Sequence, residues 1–248
     1  MSNTKSLYPD AQISIRDDIL SEQTRAWNHI ASPDSWYSGA QRLAMARAVR
    51  EAHTCSLCTA QADALSPNAV QGEHDHDGTL PALVVETVHR IVSDPGRQGK
   101  SWYDGLRAEG LSEEQYVEIV GVTAHTVSLD TFAKALGLAQ RPLPEPVNGE
   151  PSGYRPACVT PGPGWVSTIA KGNESGPEAG IFDEMMGANI QRALTLVPNE
   201  MRSWFKLLGA QYLPQKWMRD LSQEFRAITH SQIEFLAARV SALNKCMY

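Results

Sequence analysis

Eight of the chain's fifteen prolines and six of its eighteen glycines fall between Pro142 and Pro177. Proline lacks the amide donor that a helix needs, and ordering glycine costs the most backbone entropy, so regular structure should stop at one end of this stretch and resume past the other. The stretch is 36 residues long, beyond the ~12 to 15 of an ordinary loop. It therefore reads as a tether, or as an arm packed over a surface or a neighbouring subunit. Trp165, Val166 and Ile169 favour packing. The chain accordingly divides into residues 1–141, an arm over 142–180, and residues 181–248.

Both flanking parts carry helical periodicity. Gln41 to Ala52 places Leu43, Ala46, Val49 and Ala52 at steps of three, and Leu80 to Ser93 places Leu83, Val84, Val88, Ile91 and Val92 at steps of three and four. Ser112 with Gln115 three positions on is a capping box, and it predicts one long helix through Tyr116, Ile119, Val120, Val127 and Phe132 to a stop at Gly137. Beyond the arm, helices are expected over Asn189 to Leu196, Glu200 to Tyr212 and Ser231 to Leu243, the last with Ile233, Leu236, Ala237 and Val240 on its apolar face. No run alternates with period two, so the expected fold class is all-α.

Composition narrows the function classes. A net charge of -6 leaves no broad basic surface for phosphate backbones or anionic lipid, so neither nucleic acid nor a membrane is an expected partner. The opening MSNTKSLYPDAQIS has no apolar h-region and no segment is long and apolar enough to span a bilayer, so a cytoplasmic location is expected. Four cysteines, Cys55, Cys58, Cys158 and Cys246, are too few for a disulfide scaffold. In a reducing compartment the pair Cys55-x-x-Cys58 reads instead as redox or metal chemistry.

At i and i+3 on a helix two thiols share one face, and Thr54 is a plausible N-cap that would put Cys55 in the first turn, where the helix dipole favours its thiolate. Reduction of a peroxide needs one thiolate to attack the O–O bond and a second thiol to resolve the sulfenic acid as a disulfide. A proton relay is also required. Candidates are Glu51, His53, and Glu118 with His125 at i and i+7 on the long helix. Each has a plainer reading: Glu51 as a solvated carboxylate, Glu118 and His125 as structural residues of a largely apolar helix.

The stretches RLAMARAVREAHTCSLC and SEEQYVEIVGVTAHTVSLDTFAKALGL, with NIQRALTLVPNEMRSWFKLL and SQIEFLAARVSALNKCMY after the arm, resemble the AhpD-like branch of the carboxymuconolactone decarboxylase superfamily. The resemblance covers most of residues 36 to 140 and 181 to 248. It implies an all-helical homo-oligomer that reduces hydroperoxides through a CxxC dithiol, with an external thiol reductant, an antioxidant role, Cys58 as the attacking sulfur and no cofactor. The family motif places a glutamate twelve residues before the first cysteine and a histidine four after the second; here those positions hold Leu43 and Ala62. Glu234 stands at the glutamate's distance from Cys246, and aligning Cys246 with Cys55 also pairs Gln232 with Gln41, Ala237 with Ala46 and Val240 with Val49. The pieces look rearranged, and the resemblance then implies that Glu234 completes Cys55 and Cys58 in space.

Two rival readings use the same residues. Cys55, Cys58, His74 and His76 offer two thiolates and two imidazoles, the ligand types of tetrahedral zinc, although CxxC followed by HxH at this distance matches no standard finger. Alternatively, the pocket persists without the chemistry, leaving a ligand-binding or purely oligomeric member. Haem attachment is disfavoured because Thr59, not histidine, follows Cys58.

Overall fold

The computed structural model describes residues 7–183, 185–244 and 246. The opening residues 1–6 and the terminal Met247 and Tyr248, quoted above, lie outside them. Among the described residues the chain forms nine α-helices: α1 Asp17–Ala31, α2 Gly39–Ala52, α3 Ser56–Asp63, α4 Ala82–Ser93, α5 Lys100–Ala108, α6 Glu113–Ala135, α7 Asn189–Arg192, α8 Pro198–Gln211 and α9 His230–Leu243. The only strands described are β1 Thr160–Pro161 and β2 Ser167–Thr168, a short antiparallel pair within the arm. The fold is all-α, as periodicity predicts, and no described helix is long and apolar enough to cross a membrane.

Local chemistry sets the helix starts. Ser38 with Gln41, Ser112 with Gln115 and Thr229 with Gln232 form reciprocal capping boxes at α2, α6 and α9, each satisfying two otherwise orphaned donors. Helix α6 buries residues around its circumference, from Val117 and Ile119 to His125 and Leu129. Such a helix must be central. It packs against α1, α2, α4 and α8, with Trp27, Ile30, Met45, Val49, Val88, Ile119, Val122, Leu129 and Leu207 in one core. On its other side Val117 joins Ile169, Phe182, Leu196, Val197 and Met201 in a second. At Gly39 a Cβ would lie 2.1 Å from the Ala31 carbonyl oxygen, so the glycine lets α2 begin against the end of α1.

The arm is packed. Val147, Ser152 and Gly153 donate backbone bonds to Ala31, Asp34 and Ser35, Arg155 pairs with Glu113 and Glu114, and Ile169 is fully buried. Three expectations need correction. Helix α7 stops at Arg192 rather than Leu196, because Pro198 forces Val197 out of the helical region and the Thr195 hydroxyl accepts from the Ile169 amide. Thr54 is not a cap: Cys55 is the N-cap of α3, with φ -65° and ψ 126°, and the Thr54 hydroxyl donates to the Glu51 carbonyl. On α9 only His230 and Ile233 are buried, while Leu236 and Val240 are exposed, because the helix is anchored at its first turn alone.

Candidate metal and thiol centre

Cys55 ends the link from α2 and Cys58 lies in the first turn of α3, so one helical turn brings both sulfurs to the same side. That side faces α4 and the loop between residues 64 and 81. The loop carries His74 inward, and α4 supplies His89 from a position flanked by Val88 and Arg90. The Nδ1 atom of His74 lies 3.5 Å from both Cys55 Sγ and Cys58 Sγ, and Nδ1 of His89 lies 3.4 Å from Cys58 Sγ. The two imidazole rings are 4.6 Å apart between centroids. All four ligand atoms fall within 4.8 Å of one another. The sulfurs are sealed, at 0% and 2% exposure for Cys55 and Cys58, and both cysteines are free thiols.

Hydrogen bonding fixes the protons. Nε2 of His74 lies 2.7 Å from Glu86 Oε2, and since a carboxylate only accepts, Nε2 is the donor in either protonation state while Nδ1 faces the sulfurs. The other Glu86 oxygen accepts from the Trp102 indole at 3.0 Å, which holds the carboxylate in place. Burial opposes charge on His74, but bonds to Cys58, Glu86 and Cys55 outweigh it and push its pKa up to about 10. Burial also opposes the Cys55 thiolate, yet the backbone N–H groups of Asp75 and Cys58, with His74, bring its pKa below the ordinary thiol value. Burial and the neighbouring His74 push His89 down to about 4, so it stays a neutral imidazole. Its Nε2 has no hydrogen-bond partner among the described residues.

The other residues singled out from sequence lie elsewhere. His76 lies 3.4 Å from the exposed Glu73 and accepts from the Gly78 amide, so His89 stands where His76 was expected. Burial and the nearby Asp77 raise the Glu51 pKa against the pull of Arg47, and His53 is exposed at the end of α2. Glu234 accepts from the Tyr212 hydroxyl at 2.6 Å and lies beside His230; among the described residues it bonds neither cysteine. Cys158 is half-buried in the arm.

Glu118 and His125 belong to a second buried group, built around Arg42. The guanidinium lies 2.6 Å from Glu118 Oε1, 2.6 Å from Glu200 Oε1 and 3.9 Å from Asp34 Oδ2. His29 Nε2 lies 2.9 Å from Glu200 Oε1. Three carboxylates around one arginine cannot all ionise cheaply. Burial pushes Glu118 up to about 7 against the pull of Arg42, and burial with Glu200 raises Asp34. Burial opposes ionisation of Glu200 too, but Arg42 and His29 hold it well below the usual carboxylate range. His125 donates from Nδ1 to the Gly121 carbonyl, leaving Nε2 to accept from the Ser203 hydroxyl. Burial keeps it neutral, pushing its pKa down to about 4. Arg42 already occupies the place a cation would take, so this group ties α1, α2, α6 and α8 together.

Sequence reasoning missed His89, Arg42 and Glu200. The signal for His89 is a polar pair, Glu86 and His89, at i and i+3 in a helix whose apolar face is Val84, Val85 and Val88. Among known proteins, no family model, curated protein or solved structure matches this chain.

Proposed function

We propose that Cys55, Cys58, His74 and His89 hold a zinc ion, and that the ion is structural. The sulfur-to-nitrogen spacing carries this reading. Bonds of about 2.3 Å to sulfur and 2.0 to 2.1 Å to nitrogen at tetrahedral angles set ligand atoms about 3.5 Å apart. Three of the four sulfur-to-nitrogen separations are 3.5, 3.5 and 3.4 Å, and all four ligand atoms lie within 4.8 Å of one another. Two thiolates and two imidazoles match zinc's ligand preference, and four protein ligands leave no open position for substrate. Glu86 supplies the carboxylate that orients a metal-bound histidine through its other nitrogen. In this role the ion pins α3 and the 64–81 loop onto α4, a region whose own apolar cluster is small: Ala52, Cys55, Leu57 and Cys58, with Val70 and Val92 beside it.

A second reading is favoured by the lowered Cys55 pKa and the adjacent His74: a dithiol that reduces hydroperoxides. One thiolate would attack the O–O bond and release the alcohol; the second would displace water from the sulfenic acid to form the disulfide, and an external thiol reductant would restore both. The resemblance to AhpD-like proteins belongs to this reading.

Metal analysis with thiol titration separates the two. Zinc binding predicts about one zinc per chain, lost in Cys58→Ser and His89→Ala, with the loaded thiols inert to stoichiometric peroxide. A metal-free protein that loses both the Cys55 and the Cys58 thiol for each equivalent of peroxide would reverse the order of the readings.

A further inference from the structure

The arm and the helices enclose a cleft of about 400 Å³, far from Cys55 and Cys58 in sequence and lined by none of the residues that form the metal centre. It is lined by Tyr116, Val117 and Val120 of α6, by Trp165 of the arm and by Leu194 just after α7. The Trp165 indole stacks on Tyr103 at 5.7 Å and 29°, and Tyr103 meets Tyr116 edge-on at 5.0 Å. The stack on Tyr103 holds the partly exposed Trp165 ring in place at the cleft. A volume of this size, mostly apolar with a few convergent polar groups, is what small organic ligands occupy.

Of the polar side chains that line it, Thr168, Asn189 and Arg192, only Arg192 is charged. Its Nε donates to the Ile169 carbonyl at 3.0 Å and its Nη2 to the Thr168 hydroxyl at 2.8 Å. Both acceptors are neutral. No carboxylate pairs with Arg192 among the described residues, and its Nη1 makes no hydrogen bond there. The side chain is half-buried and, unlike Arg42, Arg50, Arg141 and Arg155, has no acidic partner among the described residues. Two anchoring bonds also fix the plane of the guanidinium, the arrangement that suits a carboxylate.

We infer that this cleft binds a small organic carboxylate, with an apolar or aromatic body against Trp165, Val117 and Val120 and its anionic end on Arg192. Such a site gives the protein a ligand-binding function independent of the metal centre. The two share no residue, so either assignment can fail alone.

Calorimetric titration with 2-naphthoate and its neutral analogue 2-naphthamide tests the inference. Naphthoate should bind the intact chain and the amide much more weakly. Arg192→Gln should weaken naphthoate about tenfold or more, the worth of a charge-assisted bond, while leaving the amide unchanged. Ala193→Trp, at an exposed position on the rim, should block the cleft without disturbing the core. Absence of naphthoate binding would overturn the inference. So would naphthoate binding of equal strength in both variants, or amide binding as tight as the acid's.

Discussion

Glu86 shows how much one side chain can decide. Its two oxygens serve two different elements, His74 on the loop and Trp102 on α5, and the imidazole they orient is the one equidistant from both sulfurs. Glu86→Gln keeps the shape but weakens the acceptor, so zinc affinity measured by chelator competition should fall about 10- to 100-fold with the fold retained. An unchanged affinity would mean that the carboxylate does not tune a metal ligand. Titration around Arg42 gives a second residue-level expectation. His125 is held at about 4 in the folded chain, below its ordinary value of 6.5; the unfolded chain takes up that proton first, so the stability it contributes near neutrality is lost as pH falls through this window. Glu118 is raised from 4.5 to about 7, so the folded chain binds the proton more readily, and the stability it contributes at low pH is lost as pH rises toward 7. The slopes oppose each other. Between pH 5 and 7, the melting temperature of Glu118→Gln should therefore fall with acidification more steeply than that of the unaltered protein, whereas His125→Gln should shift the slope the other way.

Among the helices, α6 is the most tightly specified. Gly121 faces the Glu200 side chain so closely that an added Cβ would lie 2.4 Å from Oε2 and 2.7 Å from Cδ. Glu200 is fixed by Arg42 and His29 and has little room to give, so the gain in helix propensity from alanine is outweighed by overpacking. Gly121→Ala should destabilise by about 1 to 3 kcal/mol, visible as a drop of several degrees in melting temperature. A rise would show that the carboxylate moves freely. This glycine reads from sequence as a mere weakness in a helix, because Glu200 lies 79 positions away in the chain. One helix start was far more legible, since a capping box is written within four residues: Ser112 and Gln115 identify the beginning of α6 unaided, whereas the boxes at Ser38 and Thr229 and the cap at Cys55 went unread. α1 and α5 were less so. Helix α5 buries only Tyr103 and Leu106, and α1 has polar Gln23 in its buried stripe, where it accepts from the Tyr8 hydroxyl.

Across the whole molecule, the candidate site was half readable. Cys55 and Cys58 announce themselves by spacing, and His74 by its place in a polar loop. His89 does not: it occupies a core position on the stripe of Val84, Val85 and Val88, and only the packing of α3 on α4 reveals that it meets a sulfur. Sequence proximity pointed instead to His76, which the loop turns outward. The packed arm is similar, since proline and glycine content marks where helices end but not that Arg192 and Trp165 come together across it. If zinc is bound, the small cluster of four apolar residues around α3 is reinforced by ligand bonds, and folding of that region becomes linked to the metal. X-ray absorption at the zinc edge of the purified protein tests this most directly. Two sulfur neighbours at about 2.3 Å and two nitrogen neighbours at about 2.0 to 2.1 Å are expected; a protein without zinc, or one whose zinc has an oxygen-rich shell lacking sulfur, would contradict it.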